Sequence, residues 1–505
     1  MSNNFLLLLP EFLVTGLAFL VLTLDFFTSR ERKTILPFVA LVGLGAILVF
    51  SLVYLWNRDE VLYGGLLRID GYALFFKAFF LVLGGFIVLM SYDYVKRNLE
   101  YPGEYYGILL FTVVAMMLMA SSGELLTAYM ALELLSFGLY VLVGYDRYNA
   151  KSNEGATKYI LLGAFSSALL LYGISQIYGL LGTTRFDEIN AALAATGDLS
   201  PGVMLGIVLI IAGLGFKIAA VPFHMWAPDA YEGAPIPVTA YLAVGSKAAA
   251  FALVLRLFTE AFLPSVGDWQ MLLVIMAVAT MLLGNLVALV QTNMKRLLAY
   301  SSIGQVGYLL MGVAALAVVE GDGGVSIELS RLVSNGIMLH LVAYAVTNMA
   351  VFMCLAAIYN VTGRDDIAGM AGVARRAPLL GLVMAVSLFS LAGLPIFAGF
   401  TSKFYLFNAV AASGMLWLAG LAIFASLISL YYYLTIVRQL YIEPAEDPTP
   451  IFVPRLTSIS LGVLLVGIVF IGVYPAPLME AIQYASDVLL SAEPVTQGAA
   501  AALVP

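Results

Sequence analysis

The sequence predicts an all-α polytopic membrane protein of about fourteen transmembrane helices, with two inverted five-helix repeats (about spans 4–8 and 9–13), each holding a broken helix (spans 7 and 12). Three observations predict it. Of 505 residues, 62% are hydrophobic and only 11% are charged, with a mean hydropathy of +0.98; soluble domains carry about 25% charged residues. Fourteen apolar runs approach the roughly twenty residues that cross a hydrocarbon core of about 30 Å. Two of these runs are interrupted by proline and glycine and carry a lysine. A broken helix at membrane depth is tolerated only where its freed backbone lines protein or a cavity.

The spans fall at about 5–27, 34–56, 70–92, 105–120, 124–144, 156–181, 202–223, 237–260, 269–291, 297–319, 335–359, 378–411, 415–438 and 455–474. Met1–Asn4 has no basic segment, so the first run reads as an uncleaved span. Alternate loops hold fourteen Lys and Arg residues, among them Arg30, Lys33, Lys96, Lys295, Arg296 and Arg364; the opposite loops hold only Arg58, Arg68, Arg185 and Arg331. The richer side is expected to be cytoplasmic, which places both termini outside. The chain then divides into a three-helix segment (1–104), a first repeat (105–260), a second, inverted repeat (261–440) and a last span with a short outer tail (441–505). The loop 182–201 is the longest linker between spans. The tail has room for one amphipathic helix, Leu478 to Leu490, before an Ala-rich end expected to be disordered.

The stretch Gly213 to Leu257 organises the rest. Lys217 and Lys247 sit among apolar or small neighbours with no acidic residue within a helical turn. A lysine near the bilayer centre costs about 2.5–3.5 kcal/mol, so it implies a partner, a cavity or a function. Between them Pro222 breaks the first segment, since it lacks an N–H and clashes one turn back. Span twelve repeats the pattern with Pro395 and Lys403 five spans later, an odd offset that inverts the second unit. Glu133 lies in the middle of span five and reads either as a carboxylate acting on a neighbouring lysine or as a structural acid bonded across helices. Desolvation disfavours an ammonium and a nearby Glu133 favours it, so moving that carboxylate would release the lysine's proton. Lys403 reads as an exit-side proton site or as a lysine satisfying broken-helix carbonyls. His224, just after the first break, and His340, inside span eleven, suit a proton relay or a neutral core role. Lys158 reads as an i,i+4 surface partner of Glu154 or as a proton-uptake site. Asp229 and Glu232 read as helix caps, and Lys77 and Arg256 as lysine and arginine snorkelling to an interface.

One cysteine, Cys354, excludes an internal disulfide, and two histidines leave little for a metal site. No Gly-rich phosphate loop follows a strand, and no basic run suggests nucleic acid.

The segments GFKIAAVPFHMWAPDAYEGAP, PVTAYLAVGSKAAAFALVLR, NMKRLLAYSSIGQVGYLLMG and LAGLPIFAGFTSKFYLF resemble the antiporter-like membrane subunits of respiratory complex I, over nearly the whole chain. Lysine at 403 is similar to N-like and L-like subunits rather than M-like ones, and the short tail favours the N type over the L type. The resemblance implies a proton-translocating subunit of NADH:quinone oxidoreductase in the bacterial inner membrane. It implies Glu133 and Lys217 as a controlling pair, Lys247 as a central relay, His340 as a further relay and Lys403 at the outward half-channel. It also implies no cofactor in this chain, with NADH, FMN, iron–sulfur clusters and quinone in or near other subunits, and M-like, K-like and J-like membrane subunits as partners. A subunit of a multi-subunit sodium/proton antiporter, a non-transporting membrane scaffold and a haem protein using the two histidines are the competing readings.

Overall fold

The structure, a computed structural model, describes residues 4–29, 32–196, 199–316 and 326–491; Arg30 and the Ala-rich end lie outside them. The described residues form a helical bundle. In order come α1 (Leu9–Phe27), α2 (Ile35–Tyr54), α3 (Gly71–Asn98), α4 (Pro102–Ser121), α5 (Leu125–Val143) and α6 (Ala150–Leu181). Then follow α7 (Pro201–Ile218), α8 (Ala227–Gly233), α9 (Ile236–Glu260), α10 (Leu263–Ala288), α11 (Met294–Ala314) and α12 (Ile327–Thr362). The bundle ends with α13 (Pro378–Ala392), α14 (Ala398–Ala412), α15 (Leu416–Tyr441), α16 (Arg455–Val473) and α17 (Ala476–Ser491). Thirteen helices among the described residues are long and apolar enough to cross a membrane. The expected twelfth span is the broken pair α13 and α14. The expected tail helix is α17, which packs on α3 and α12.

Helix ends follow local chemistry. Asp70 caps α3 by accepting from the Ala73 N–H at 2.7 Å, and Glu124 caps α5 through the Leu126 and Thr127 N–H groups. The α2–α3 connection, read from sequence only as a loop, contains a hairpin of β1 (Glu60–Leu62) and β2 (Leu67–Ile69), with Val61 opposite Arg68. Its turn needs Gly65, whose φ of +105° an L side chain rarely adopts. The linker 182–201 likewise contains a helix, Phe186–Thr196.

Helices α9, α11 and α12 form the buried centre, whereas α2, α6, α15 and α16 turn most of their surface outward. The outward faces carry large apolar side chains such as Phe137, Phe165, Phe404 and Phe424, the composition that suits contact with lipid. Two charge clusters sit inside this apolar body. Glu11 of α1 pairs with Lys77 of α3 at 2.7 Å, both buried. Arg256 of α9 is fully buried, 2.8 and 2.9 Å from the two Asp70 oxygens and 3.0 Å from Glu260. Arg68 of the hairpin adds a contact to Glu260 at 3.4 Å. The snorkelling expected for Lys77 and Arg256 is therefore corrected. Glu11 and Asp70 come from distant parts of the chain, while Glu260 lies one turn from Arg256 on the same helix.

Removing one member of such a pair strands the other's charge, at about 3–5 kcal/mol. Lys77→Met is expected to lower the thermal stability of the detergent-solubilised protein accordingly, and adding Glu11→Leu is expected to recover most of the loss. Equal instability of the single and double variants would contradict the pairing.

Candidate functional site

The site is built around two helix breaks of the same design. Pro222 has no N–H to give the carbonyl four residues back, that of Ile218, and α7 ends there. Ala219 takes the left-handed conformation (φ +59°), and the Ala219 and Ala220 N–H groups bond the Phe216 and Gly215 carbonyls. At the second break Pro395 deprives Leu391 in the same way. Gly393 is left-handed (φ +87°), and the Gly393 and Leu394 N–H groups bond the Ser390 and Phe389 carbonyls.

Lys217 lies in the last turn of α7, 2% exposed. Its Nζ donates to Ser136 Oγ of α5 at 2.9 Å and stands 6.0 Å from the centre of the Tyr159 ring. Glu133 lies one turn before Ser136, half-buried, and accepts from Ser167 Oγ of α6 at 2.5 Å. No ion pair joins Glu133 to Lys217; Ser136 intervenes on the same helix. Tyr159 stacks on Trp226 at 4.2 Å, and Trp226 in turn touches Tyr231 at 6.4 Å. This aromatic row leads to Lys247, whose Nζ stands 5.7 Å from the centre of the Tyr231 ring and donates to Ser302 Oγ. A π-helical turn, Leu242–Ser246, immediately precedes Lys247 within α9. Such bulges gather at functional sites, and the hydropathy pattern gave no sign of this one.

Helix α11 carries the site onward. Ser302, Gln305 and Tyr308 are three residues apart and share one face. Ser302 holds Lys247. Gln305 meets His340 Nε2 of α12 at 3.1 Å, and His340 Nδ1 meets Ser402 Oγ of α14 at 3.1 Å. The Tyr308 ring centre is 5.3 Å from Lys403 Nζ. Lys403 donates to Ser426 Oγ of α15 at 2.9 Å and to the Leu391 carbonyl at 2.8 Å, the group that Pro395 leaves unpaired. A groove of about 490 Å³, lined by Leu394, Phe404 and Phe407 among others, opens beside Lys403 and Ser426.

Of the residues singled out from sequence, Lys217, Lys247, His340 and Lys403 fall into one buried row, with Glu133 at its edge. The serines, Gln305 and the tyrosines that join them went unrecognised. Their signal was a polar stripe in an otherwise apolar helix, most visible as Ser302-Gln305-Tyr308. His224 and Lys158 lie off the row. His224 is buried after the first break, and its Nδ1 has no hydrogen-bond partner among the described residues. Lys158 is 43% exposed and pairs with Glu154 at 2.6 Å and Asp229 at 2.7 Å. Asp229 also binds Arg296 at 2.6 Å, while Glu232 binds Lys151 at 2.8 Å and Arg296 at 3.1 Å. The two acids expected to cap helices therefore clamp α8 between α6 and α11. Among the described residues, no group of three or more His, Cys, Asp or Glu is placed to hold a metal ion.

Residues 122–429 match the family described as NADH:quinone oxidoreductase/Mrp antiporter, TM. The chain is 40% identical to NADH-quinone oxidoreductase subunit N of Desulforamulus reducens, over 97% of this chain and 100% of the relative. It is 43% identical to the subunit N of Moorella thermoacetica, over 94% and 97%. Among solved structures it resembles a chain of respiratory complex I from Thermus thermophilus with bound aureothin, with a TM-score of 0.78 and 29% identity over 94% of this chain and 99% of that one.

The clamp on α8 has a pH signature. Burial would raise Asp229 and Glu232, but hydrogen bonds from Lys158 and Arg296 to the former, and from Lys151 and Arg296 to the latter, hold both below their ordinary 3.8 and 4.5. A carboxyl depressed by folding contributes stability above its ordinary value, and that contribution is lost as pH falls through the folded value. Thermal stability is expected to hold from neutral pH to about 5 and to fall at more acid pH. The Asp229→Asn/Glu232→Gln variant is expected to lose less in acid while starting about 1 kcal/mol lower. An acid profile identical to the parent's would contradict the clamp.

Proposed function

The chain belongs to the family of antiporter-like membrane subunits of NADH:quinone oxidoreductase and Mrp antiporters, and from that premise we propose that Lys217, Lys247, His340 and Lys403 form the path by which it moves protons. The chain is a proton-translocating membrane subunit of NADH-quinone oxidoreductase, of the N type. Moving a proton against 100 mV costs about 2.3 kcal/mol, and electron transfer from NADH to quinone supplies that energy.

One observation carries the path. Six Lys and Arg side chains are buried among the described residues. Lys77, Arg256 and Lys295 each have a carboxylate partner, namely Glu11, Asp70 with Glu260, and Asp365. Lys217, Lys247 and Lys403 have none and are held by hydroxyls, a carbonyl and aromatic faces. The first three cations each face a full counter-charge; the other three face none, which leaves them suited to give up a proton. Glu133, one turn from Ser136 along α5, sets the field at Lys217, and a change at that carboxylate loads or unloads the row. Lys403, beside the open groove, is the exit. His224 and Lys158 flank the uptake side. Tyr159 Oη and Ser246 Oγ are buried without a hydrogen-bond partner among the described residues, and water bound at such atoms bridges the gaps between amines.

The two matching breaks support two inverted repeats, 105–260 and 261–440, after an N-terminal segment 1–104 and before the closing part 441–505. The chain sits in the bacterial inner membrane with both termini outside, beside M-like, K-like and J-like subunits. NADH, FMN, iron–sulfur clusters and quinone belong to other subunits. The sodium-transport reading is disfavoured because the relatives at 40% and 43% identity are NADH-quinone oxidoreductase subunits.

Lys217→Ala tests the path in membranes, after a native gel has shown that the complex assembles. Proton pumping coupled to NADH–quinone electron transfer is expected to fall about a hundredfold, the lower end of what a positioned proton-transfer group contributes. Normal pumping and electron transfer in the assembled variant would make Lys217 structural and favour a scaffold.

A further inference from the structure

The three lysines without a carboxylate share a second feature. Each donates to a serine hydroxyl on another helix and faces a tyrosine ring: Lys217 with Ser136 and Tyr159, Lys247 with Ser302 and Tyr231, Lys403 with Ser426 and Tyr308. Within each set the lysine, serine and tyrosine lie on three different helices, so local sequence does not impose the pattern. Of the carboxylate-paired cations, Lys77 and Lys295 have neither a serine partner nor a tyrosine face among the described residues, and Arg256 faces the Tyr72 ring at 4.8 Å but has no serine partner there, so the serine is what sets the three lysines apart.

We infer that Ser136, Ser302 and Ser426 are positioning residues of proton transfer, each holding its lysine in both protonation states. The inference rests on the proton-path reading above. A carboxylate only accepts hydrogen bonds, so it binds the ammonium and leaves the neutral amine without a matching donor. A hydroxyl both accepts and donates. With the ammonium present, Oγ accepts an N–H, and the serine's own O–H points elsewhere: Ser136 donates to the Leu132 carbonyl at 2.7 Å and Ser426 to the Ala392 carbonyl at 3.2 Å. When the lysine passes its proton on, rotation about the C–O bond turns that O–H to the amine lone pair. The proton that leaves is the lysine's own; the serine breaks no bond and carries no charge before or after. The tyrosine ring supplies attraction to the cation without an anion that would trap it. Ser302 adds direction. It stands at the head of the α11 stripe whose next residues hold His340 and face Lys403, so Lys247 is kept on the side from which its proton moves on.

The experiment is proton pumping per electron pair in membranes carrying the assembled complex, with Ser302→Ala, Ser302→Thr and Ser302→Asp beside Lys247→Ala. Ser302→Ala is expected to slow pumping about tenfold, the worth of one hydrogen bond to a charged group. Ser302→Thr, which keeps the hydroxyl, is expected to restore it. Ser302→Asp, which supplies the fixed anion, is expected to stop it. Ser426→Ala and Ser426→Thr repeat the comparison at Lys403; Ser426 is only partly buried beside the groove, so its truncation leaves packing intact. If Lys247→Ala stops pumping while Ser302→Ala, Ser302→Asp and Ser426→Ala all pump normally, the serine inference fails and the path stands. If Lys247→Ala itself pumps normally, the path fails first.

Discussion

An ammonium group inside an apolar body must be held by something, and the chemistry of its holder decides what the amine can do. A carboxylate cancels the charge and fixes it, which ties helices together, as Glu11 ties α1 to Lys77 of α3 and Asp70 ties the start of α3 to Arg256 of α9. A hydroxyl leaves the amine free to change state. The molecule uses both solutions and keeps them apart. Carboxylate-held cations anchor the bundle, while hydroxyl-held amines occupy its centre and one edge groove.

The helix breaks put the hydroxyl-held amines where they are. In each, a proline removes the N–H due to the carbonyl four residues back, and a left-handed residue closes the end. The second break joins the two themes directly: Lys403 takes the Leu391 carbonyl that Pro395 abandons. A helix C-terminus carries partial negative charge, so this end attracts the cation without holding a full anion against it. Lys217 sits in the equivalent last turn of α7. Between them α9 and α11, almost wholly buried, carry Lys247 and the Ser302-Gln305-Tyr308 stripe.

Much of this was legible in the sequence because membrane insertion penalises charge so heavily that each mid-span lysine marks itself. Length and hydropathy placed the spans, Pro222 and Pro395 marked the breaks, and Lys217, Lys247, His340 and Lys403 stood out singly. What stayed hidden depends on contacts between distant parts of the chain. Lys77 and Arg256 looked like snorkelling side chains because Glu11 and Asp70 lie in other helices. Asp229 and Glu232 looked like caps because Lys158 and Arg296 approach them only in three dimensions. The π-helical turn before Lys247 and the hairpin at Glu60–Ile69 leave apolar content nearly unchanged, so hydropathy did not register them. Serines in apolar helices read as small residues until the structure set an amine against them.

The partner, rather than burial alone, separates transporting amines from anchoring ones. Proton pumping per electron pair, compared between Lys247→Met and the Glu11→Leu/Lys77→Met double variant in assembled complexes, tests it most directly. Pumping is expected to be lost with Lys247→Met and kept in the double variant, which also removes a buried lysine. Equal loss in both, or loss only in the double variant, would contradict it.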